Sequence, residues 1–234
     1  VTGVQTCALP ISPPSPEGFG DDAAVLPWRS DRVVATVDAL LYGRHFDASA
    51  TAEAAGHKLL HRNLSDVAAM GGTPQAGLLA LTFGADLSLV WLEGFYRGLV
   101  EGCRQHGVTL AGGDLSEGAP GTFGAYLTVL GHAPVRPLPR LGARPGDHLY
   151  VTGDLGGSRL GKHLTFEARL AEGKWLADQP MVRSAIDVTD GLAKDLPALL
   201  TPGQAARLRL AALPISEAAH QLAEHSGRSP QAHA

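Results

Sequence analysis

Cysteine is nearly missing from these 234 residues, with Cys7 and Cys103 the only two. That excludes a disulfide framework and a cysteine-rich zinc site. Long apolar runs are missing as well: no stretch of 18 uncharged apolar residues occurs, so no membrane-spanning helix is expected. Positive charge is in short supply, with 19 Lys and Arg against 23 Asp and Glu and a formal charge of -4. A nucleic-acid binder must neutralise many phosphates, and this chain has little to do it with. These absences together point to the cytoplasm. Several site signatures are also lacking: there is no P-loop, no Gly-x-Ser-x-Gly elbow and no His-Glu-x-x-His zinc helix. Gly153-Asp-Leu-Gly156-Gly157 is glycine-rich, but its spacing is not that of a dinucleotide fingerprint.

What is present is an ordinary globular composition, 44% hydrophobic and 18% charged, enough for one large domain or two smaller ones. Residues 1–12, VTGVQTCALPIS, carry no charge and have neither the basic start nor the long apolar core of a signal peptide. They resemble an in-frame translation of sequencing-adapter DNA and are set apart from the fold. The pentapeptide ALPIS recurs at Ala212–Ser216. One copy near each end makes no structural repeat.

Alternating and apolar runs predict strands at Arg32–Leu40, Ala76–Phe83, Val108–Ala111, Gly124–Gly131 and His148–Thr152. A helix is predicted from Thr51 or Glu53 to Met70, stopped by Gly71-Gly72. A second runs from an N-cap at Ser88 to Gln105, with Leu92, Phe95, Leu99 and Cys103 on one stripe. Irregular alternation with hairpin-like strand pairs fits an α+β fold better than a doubly wound sheet. The proline-rich stretch His132–Pro139 reads as a linker. It divides an N-terminal domain, 13–135, from a second, 136–234. The second offers helical segments at Gly161–Ala177 and Gly191–Leu200 and a strand at Ala206–Leu210.

The chemically loaded feature is a set of aspartates in glycine-rich or apolar settings. They lie in Gly20-Asp21-Asp22, Thr36-Val37-Asp38, Ser65-Asp66, Gly113-Asp114 and Asp187-Val188-Thr189-Asp190-Gly191. An ionised carboxylate inside a run such as VVATVDALL must be paired, hydrogen-bonded or on a metal. Each has a plainer reading: a turn for Gly-Asp-Asp and Gly112-Gly113-Asp114, a helix-surface charge for Asp66, a helix cap for Asp187 and Asp190. Converging carboxylates repel, by roughly 4 kcal/mol for two unit charges at 4 Å and a dielectric near 20. Magnesium relieves that repulsion and suits hard oxygen ligands. In an extended Thr36-Val37-Asp38 the first and third side chains face the same way and can reach one ion. An acidic site of this kind can hold an anionic nucleotide through metal ions, so the chemistry expected is phosphoryl transfer. His57 and His61, at i and i+4, are read as a helix-face pair and not a zinc site.

In order and spacing, the segments GFGDDAAVL (18–26), ATVDALLYGRHF (35–46), GHKLLHRNLSDVAAMGGTP (56–74), LAGGDLSEG (110–118), RLGARPGDHLYVTGDLGGS (140–158) and SAIDVTDGLAKDL (184–196) resemble the thiamine-monophosphate kinases of the AIR-synthetase-like, or PurM-like, superfamily. The resemblance implies a two-domain α+β architecture with a dimerising N-terminal sheet. It implies magnesium ligands at Asp22, Thr36, Asp38, Asp66, Asp114, Asp187 and Asp190. It puts ATP against Gly113, Asp114, Arg140 and Thr189, and the thiamine phosphate against His45. The implied partners are ATP, thiamine monophosphate and a second copy of the chain, with no nucleic acid and no membrane. The implied reaction moves the γ-phosphoryl of ATP onto thiamine monophosphate by in-line attack, without a strong general base.

Val37 stands where relatives often carry a hydroxyl, and Gly157 and Thr189 replace Asp and Ser. Relatives also extend beyond both ends, so the chain is expected to be a truncated copy, weak or inactive by itself. Two other readings stay open at this stage. One is another ATP-using enzyme of the superfamily, of the selenophosphate synthetase, AIR synthetase or hydrogenase-maturation kind. The other is a non-catalytic nucleotide- or metal-binding protein.

Overall fold

The computed structural model describes Trp28 and residues 32–234. The expectations placed on residues 1–12 and on Asp22 lie outside that range.

Four strands, β1 (Val33–Leu41), β2 (Thr73–Gly84), β3 (Thr109–Gly118) and β4 (Phe123–His132), alternate with two long helices, α1 (Ala52–Ala69) and α2 (Leu89–His106). The strands form one mixed sheet in the order β1-β4-β2-β3. β4 is antiparallel to both β1 and β2, while β2 and β3 are parallel and connected through α2. Alternation in these strands sends Leu40, Leu79, Leu81, Leu127 and Val129 into a core completed by Leu59, Leu60, Leu64, Phe95 and Leu99 of the helices. Each such side chain contributes about 1.5–3 kcal/mol on burial.

Thr51 caps α1, its Oγ1 accepting the Ala54 N–H at 3.1 Å. Gly71, at φ +71°, ends it. Ser88 occupies the N-cap position of α2, yet its hydroxyl makes no capping hydrogen bond. The two helices touch backbone to backbone: a Cβ on Gly56 would lie 2.0 Å from the Phe95 carbonyl oxygen, and one on Gly98 would lie 2.0 Å from that of Glu53.

The opposite face of the sheet is bare of any described element. Val37 pairs with Thr128, and Thr128 with Leu78, so the three share that face; Ala39, Tyr126 and Ala80 form the adjacent row. Val37, Leu78 and Tyr126 are 62%, 41% and 43% exposed.

Beyond His132 the chain winds through short helices: α3 (Lys162–Thr165), α4 (Leu170–Asp178), α5 (Leu192–Asp195) and α6 (Glu217–Ser226). Here the predicted strands fail. Neither His148–Thr152 nor Ala206–Leu210 joins a ladder among the described residues, because no neighbouring strand pairs with either, and Tyr150 is left 91% exposed. The helix expected over Gly161–Ala177 is split, because the backbone at Phe166 and Ala168 bonds to histidines of α1 instead of to its own turn. That over Gly191–Leu200 becomes α5 and a short 3-10 turn, Leu196–Leu199, containing Pro197. The Gly112-Gly113 pair is no turn. β3 runs straight through it, since a Cβ on Gly113 would stand 1.7 Å from the Leu79 carbonyl oxygen. Only glycine permits that approach.

Candidate active site

On α1, Lys58, Arg62 and Asp66 recur at four-residue spacing and so lie on one stripe. Each reaches across to β1 or to the loop that follows it. Asp66 Oδ2 accepts the Thr36 hydroxyl at 2.5 Å. Arg62 donates to Asp38 Oδ1 at 2.9 Å and to the Ala39 carbonyl at 2.7 Å. Lys58 donates to the His45 carbonyl at 2.5 Å. From beyond the sheet, Asp187 joins the same end of α1, its Oδ2 accepting the Ser65 hydroxyl at 2.9 Å.

Thr36, Asp38, Asp66 and Asp187 are thereby brought together. Burial holds the Asp38 carboxyl above its ordinary pKa, opposed by Arg62 and reinforced by the charges of Asp66 and Asp187. Asp187 is raised in the same way, first by burial, then opposed by the Ser65 hydrogen bond and reinforced by Asp66. Three carboxylates and one hydroxyl make a set of hard oxygen donors, with the Arg62 guanidinium as the counter-charge to Asp38. By type these donors suit a divalent cation, while the three carboxylates do not bring ligand oxygens all within 4.8 Å of one another. A cleft of about 210 Å³ opens beside them, lined by Thr36, Asp66 and Arg140 with apolar walls from Val34, Met70 and Ala185. Arg140 also acts electrostatically on Asp187.

Other predicted ligands lie elsewhere. Asp114 is exposed and accepts the Ser116 hydroxyl at 3.2 Å. It pairs with Ala80 on the bare face of the sheet, whereas Thr36 and Asp38 pair with the buried Val129 and Leu127 on the helix-covered face. Three strand spacings, roughly 14 Å, also separate the edges that carry them. Within one chain, Asp114 and Gly113 do not meet the cluster. Thr189, Asp190 and Gly191 donate their backbone N–H groups to Asp195 Oδ2, at 2.9, 3.0 and 3.2 Å. Asp195 thus ties down the backbone leading into α5, and the helix cap expected of Asp187 and Asp190 is not made.

His45 sits in the turn after β1. Its Nδ1 accepts the Leu41 N–H at 2.9 Å, so Nε2 carries the ring proton and can only donate. Burial lowers its pKa, and the cations Arg62, Lys58 and Arg44 lower it further.

A second gathering, His57, His61 and Glu167, has the ligand types of a metal site. Two of the ring nitrogens are bonded to backbone, however, and His61 Nε2 is buried without a hydrogen-bond partner. His57 Nε2 bonds the Phe166 carbonyl at 3.0 Å, and His61 Nδ1 accepts the Ala168 N–H at 3.1 Å. The proton of His61 is therefore on Nε2, which faces Glu167 Oε2 at 3.4 Å. This is a latch holding the segment between α3 and α4 to α1. Lys58, Arg62, Ser65 and Asp195 were not singled out in the sequence, although the first two share a four-residue spacing with Asp66.

Residues 20–133 match the family described as AIR synthase related protein, N-terminal domain. The thiamine-monophosphate kinase of Rhodopirellula baltica is 43% identical over 227 residues, covering 93% of this chain and 71% of that protein. The chain belongs to the thiamine-monophosphate kinase family. Solved structures agree. The thiamine monophosphate kinase from Aquifex aeolicus superposes with a TM-score of 0.77 at 29% identity, over 86% of this chain and 75% of that one. AaThiL complexed with AMPPCP and TMP superposes with a TM-score of 0.78 at 29% identity, over 93% and 76%. The architecture is accordingly the PurM-like α+β fold of the thiamine-monophosphate kinases. No helix among the described residues is long and apolar enough to cross a membrane.

Proposed function

We propose that this chain transfers the γ-phosphoryl group of ATP to the phosphate of thiamine monophosphate, yielding thiamine diphosphate and ADP. The observation that carries the reading is the convergence of Thr36, Asp38, Asp66 and Asp187 beside a cleft bordered by Arg140. Family membership and the relative complexed with AMPPCP, an ATP analogue, support it.

Thr36, Asp38, Asp66 and Asp187 would hold Mg²⁺, with Asp22, Asp114 and Asp190 as the further ligands of the family pattern. Bound there, the metal would neutralise charge on the phosphates and on the group in transfer. Arg140 is the cation that faces the nucleotide phosphates, and Gly113, Asp114 and Thr189 are the other nucleotide contacts. His45 meets the thiamine phosphate as a hydrogen-bond donor, through its Nε2–H. An oxygen of the acceptor phosphate forms the new bond to the γ-phosphorus as the bond to the β,γ-bridging oxygen breaks, and the electron pair departs with ADP. The attacking oxygen is already anionic, so no side chain has to remove a proton.

A second copy of the chain docks on the bare sheet face in this reading. Val37, Leu78 and Tyr126 supply apolar contact area, and Asp114 on the same face turns towards the partner. An ATP-consuming step of this kind belongs in the cytoplasm. The test is ADP release with ATP, Mg²⁺ and thiamine monophosphate, alongside light scattering for the dimer. Weak turnover that requires thiamine monophosphate and is lost in Asp38→Asn is expected, the chain spanning 71% of the Rhodopirellula baltica relative. Nucleotide binding with no turnover, even after the C-terminal part found in the relatives is appended, would replace the enzyme by a sensor.

A further inference from the structure

Lys58 is the rung of the α1 stripe to which phosphoryl transfer gives no task. It is 8% exposed, and an ammonium in that setting is costly unless it is well partnered. Burial lowers its pKa to about 8, with a smaller contribution from Arg62. A methionine would fill the same volume without that cost, so what the ammonium adds is its hydrogen bonds. One goes to the His45 carbonyl at 2.5 Å and one to Nδ1 of His163, on α3, at 2.8 Å.

His45 is thus gripped at every polar point except one. Its backbone N–H donates to the Leu41 carbonyl at 2.9 Å, and Gly43 N–H to the Phe46 carbonyl at 2.8 Å closes the turn. Its Nδ1 takes the Leu41 N–H, and its carbonyl is held by Lys58. The remaining group is Nε2–H. We infer that Lys58 is a positioning residue: it fixes the His45 turn against α1 and α3 so that Nε2–H is presented to an acceptor oxygen of the substrate. The inference rests on the proposed contact between His45 and the thiamine phosphate. Lys58 itself touches neither nucleotide nor acceptor in this role.

The test uses Lys58→Met, His45→Ala and the double variant, titrated with thiamine monophosphate and separately with AMPPCP, each in the presence of Mg²⁺. Lys58→Met is expected to weaken thiamine monophosphate about tenfold, equivalent to about 1.4 kcal/mol, and to leave AMPPCP within about twofold. In the His45→Ala background the same substitution is expected to add nothing, because the residue acts through the imidazole. Additive losses, or an equal loss for AMPPCP, would overturn the assignment. Imidazole ¹⁵N spectra supply a readout independent of ligand. Wild type should show His45 as the Nε2–H tautomer, and Lys58→Met should move that signal while the Arg62 side-chain resonances stay in place. An unmoved His45 signal sinks the positioning role. Failure of wild type to bind either ligand sinks the functional reading instead, and the spectra still decide the role of Lys58.

Discussion

The Thr36 hydroxyl donates to the Asp66 carboxylate across 2.5 Å, joining two residues thirty positions apart. The bond locks the middle of β1 to the last turns of α1 at the point where three acidic groups meet. Asp38 and Asp187 are both raised in part by the neighbouring Asp66.

Replacing Asp66 by Asn should therefore separate stability from function. Without divalent ions, removing one of the mutually repelling charges is expected to raise the melting temperature by a few degrees, about 1 kcal/mol for a chain of this size. The stabilisation that Mg²⁺ and AMPPCP give the wild type should disappear. Thermal melts with and without Mg²⁺ read both effects at once. A variant that melts lower without ions and keeps its full Mg²⁺ response would contradict the repulsion argument.

Arg62 is the counter-charge for Asp38. Arg62→Met leaves that carboxylate with two acidic neighbours and no guanidinium, and the Ala39 carbonyl without its donor. The pair is a quarter exposed, so solvent softens the loss to about 1–3 kcal/mol. Urea unfolding should show the midpoint falling with an unchanged slope, and Mg²⁺ should recover part of it.

Much of this arrangement is legible in the sequence. Alternation locates β1, β2 and β4, the 3.6-residue stripe locates α2, and Thr36, Asp38, Asp66 and Asp187 stand out as acidic or hydroxyl groups in apolar settings. What fails depends on contacts remote in sequence. Gly112-Gly113 looks like a turn because the reason for glycine, the Leu79 carbonyl, lies on another strand. The register of β2 against β3 shifts by one residue at Gly77/Leu78. A one-residue shift exchanges the faces of everything after it. Asp114 consequently faces away from Asp38, which no local pattern reveals. His148–Thr152 has strand composition, but a strand is completed only by its neighbour.

The His61 latch makes stability depend on pH. Burial, helped by the nearby His57 and His106, lowers the His61 pKa from 6.5 to about 3; Glu167 is the facing anion. Between these values the unfolded chain binds a proton that the folded one does not. The contribution is therefore present above about pH 6.5 and lost progressively as pH falls towards 3. Melting curves from pH 7.5 to 5 should show a declining midpoint, and His61→Leu should flatten the slope over that range. An identical slope in wild type and variant would remove His61 from the account.

Cys103 should be chemically silent in the native protein. It is fully buried on α2, and burial pushes its thiol up to about 12, so almost no thiolate exists at pH 8. Iodoacetamide followed by peptide mapping should leave Cys103 unmodified under native conditions and label it fully in urea. Native labelling within minutes would mean that α2 opens far more readily than its packing allows.

The glycine contacts between α1 and α2 have a mechanical consequence. With Phe95 and Glu53 carbonyls seated against Gly56 and Gly98, these helices have no room to slide or rotate past each other, so they travel as one plate. Any motion that admits or releases a ligand must then hinge outside that plate, along the irregular chain after His132.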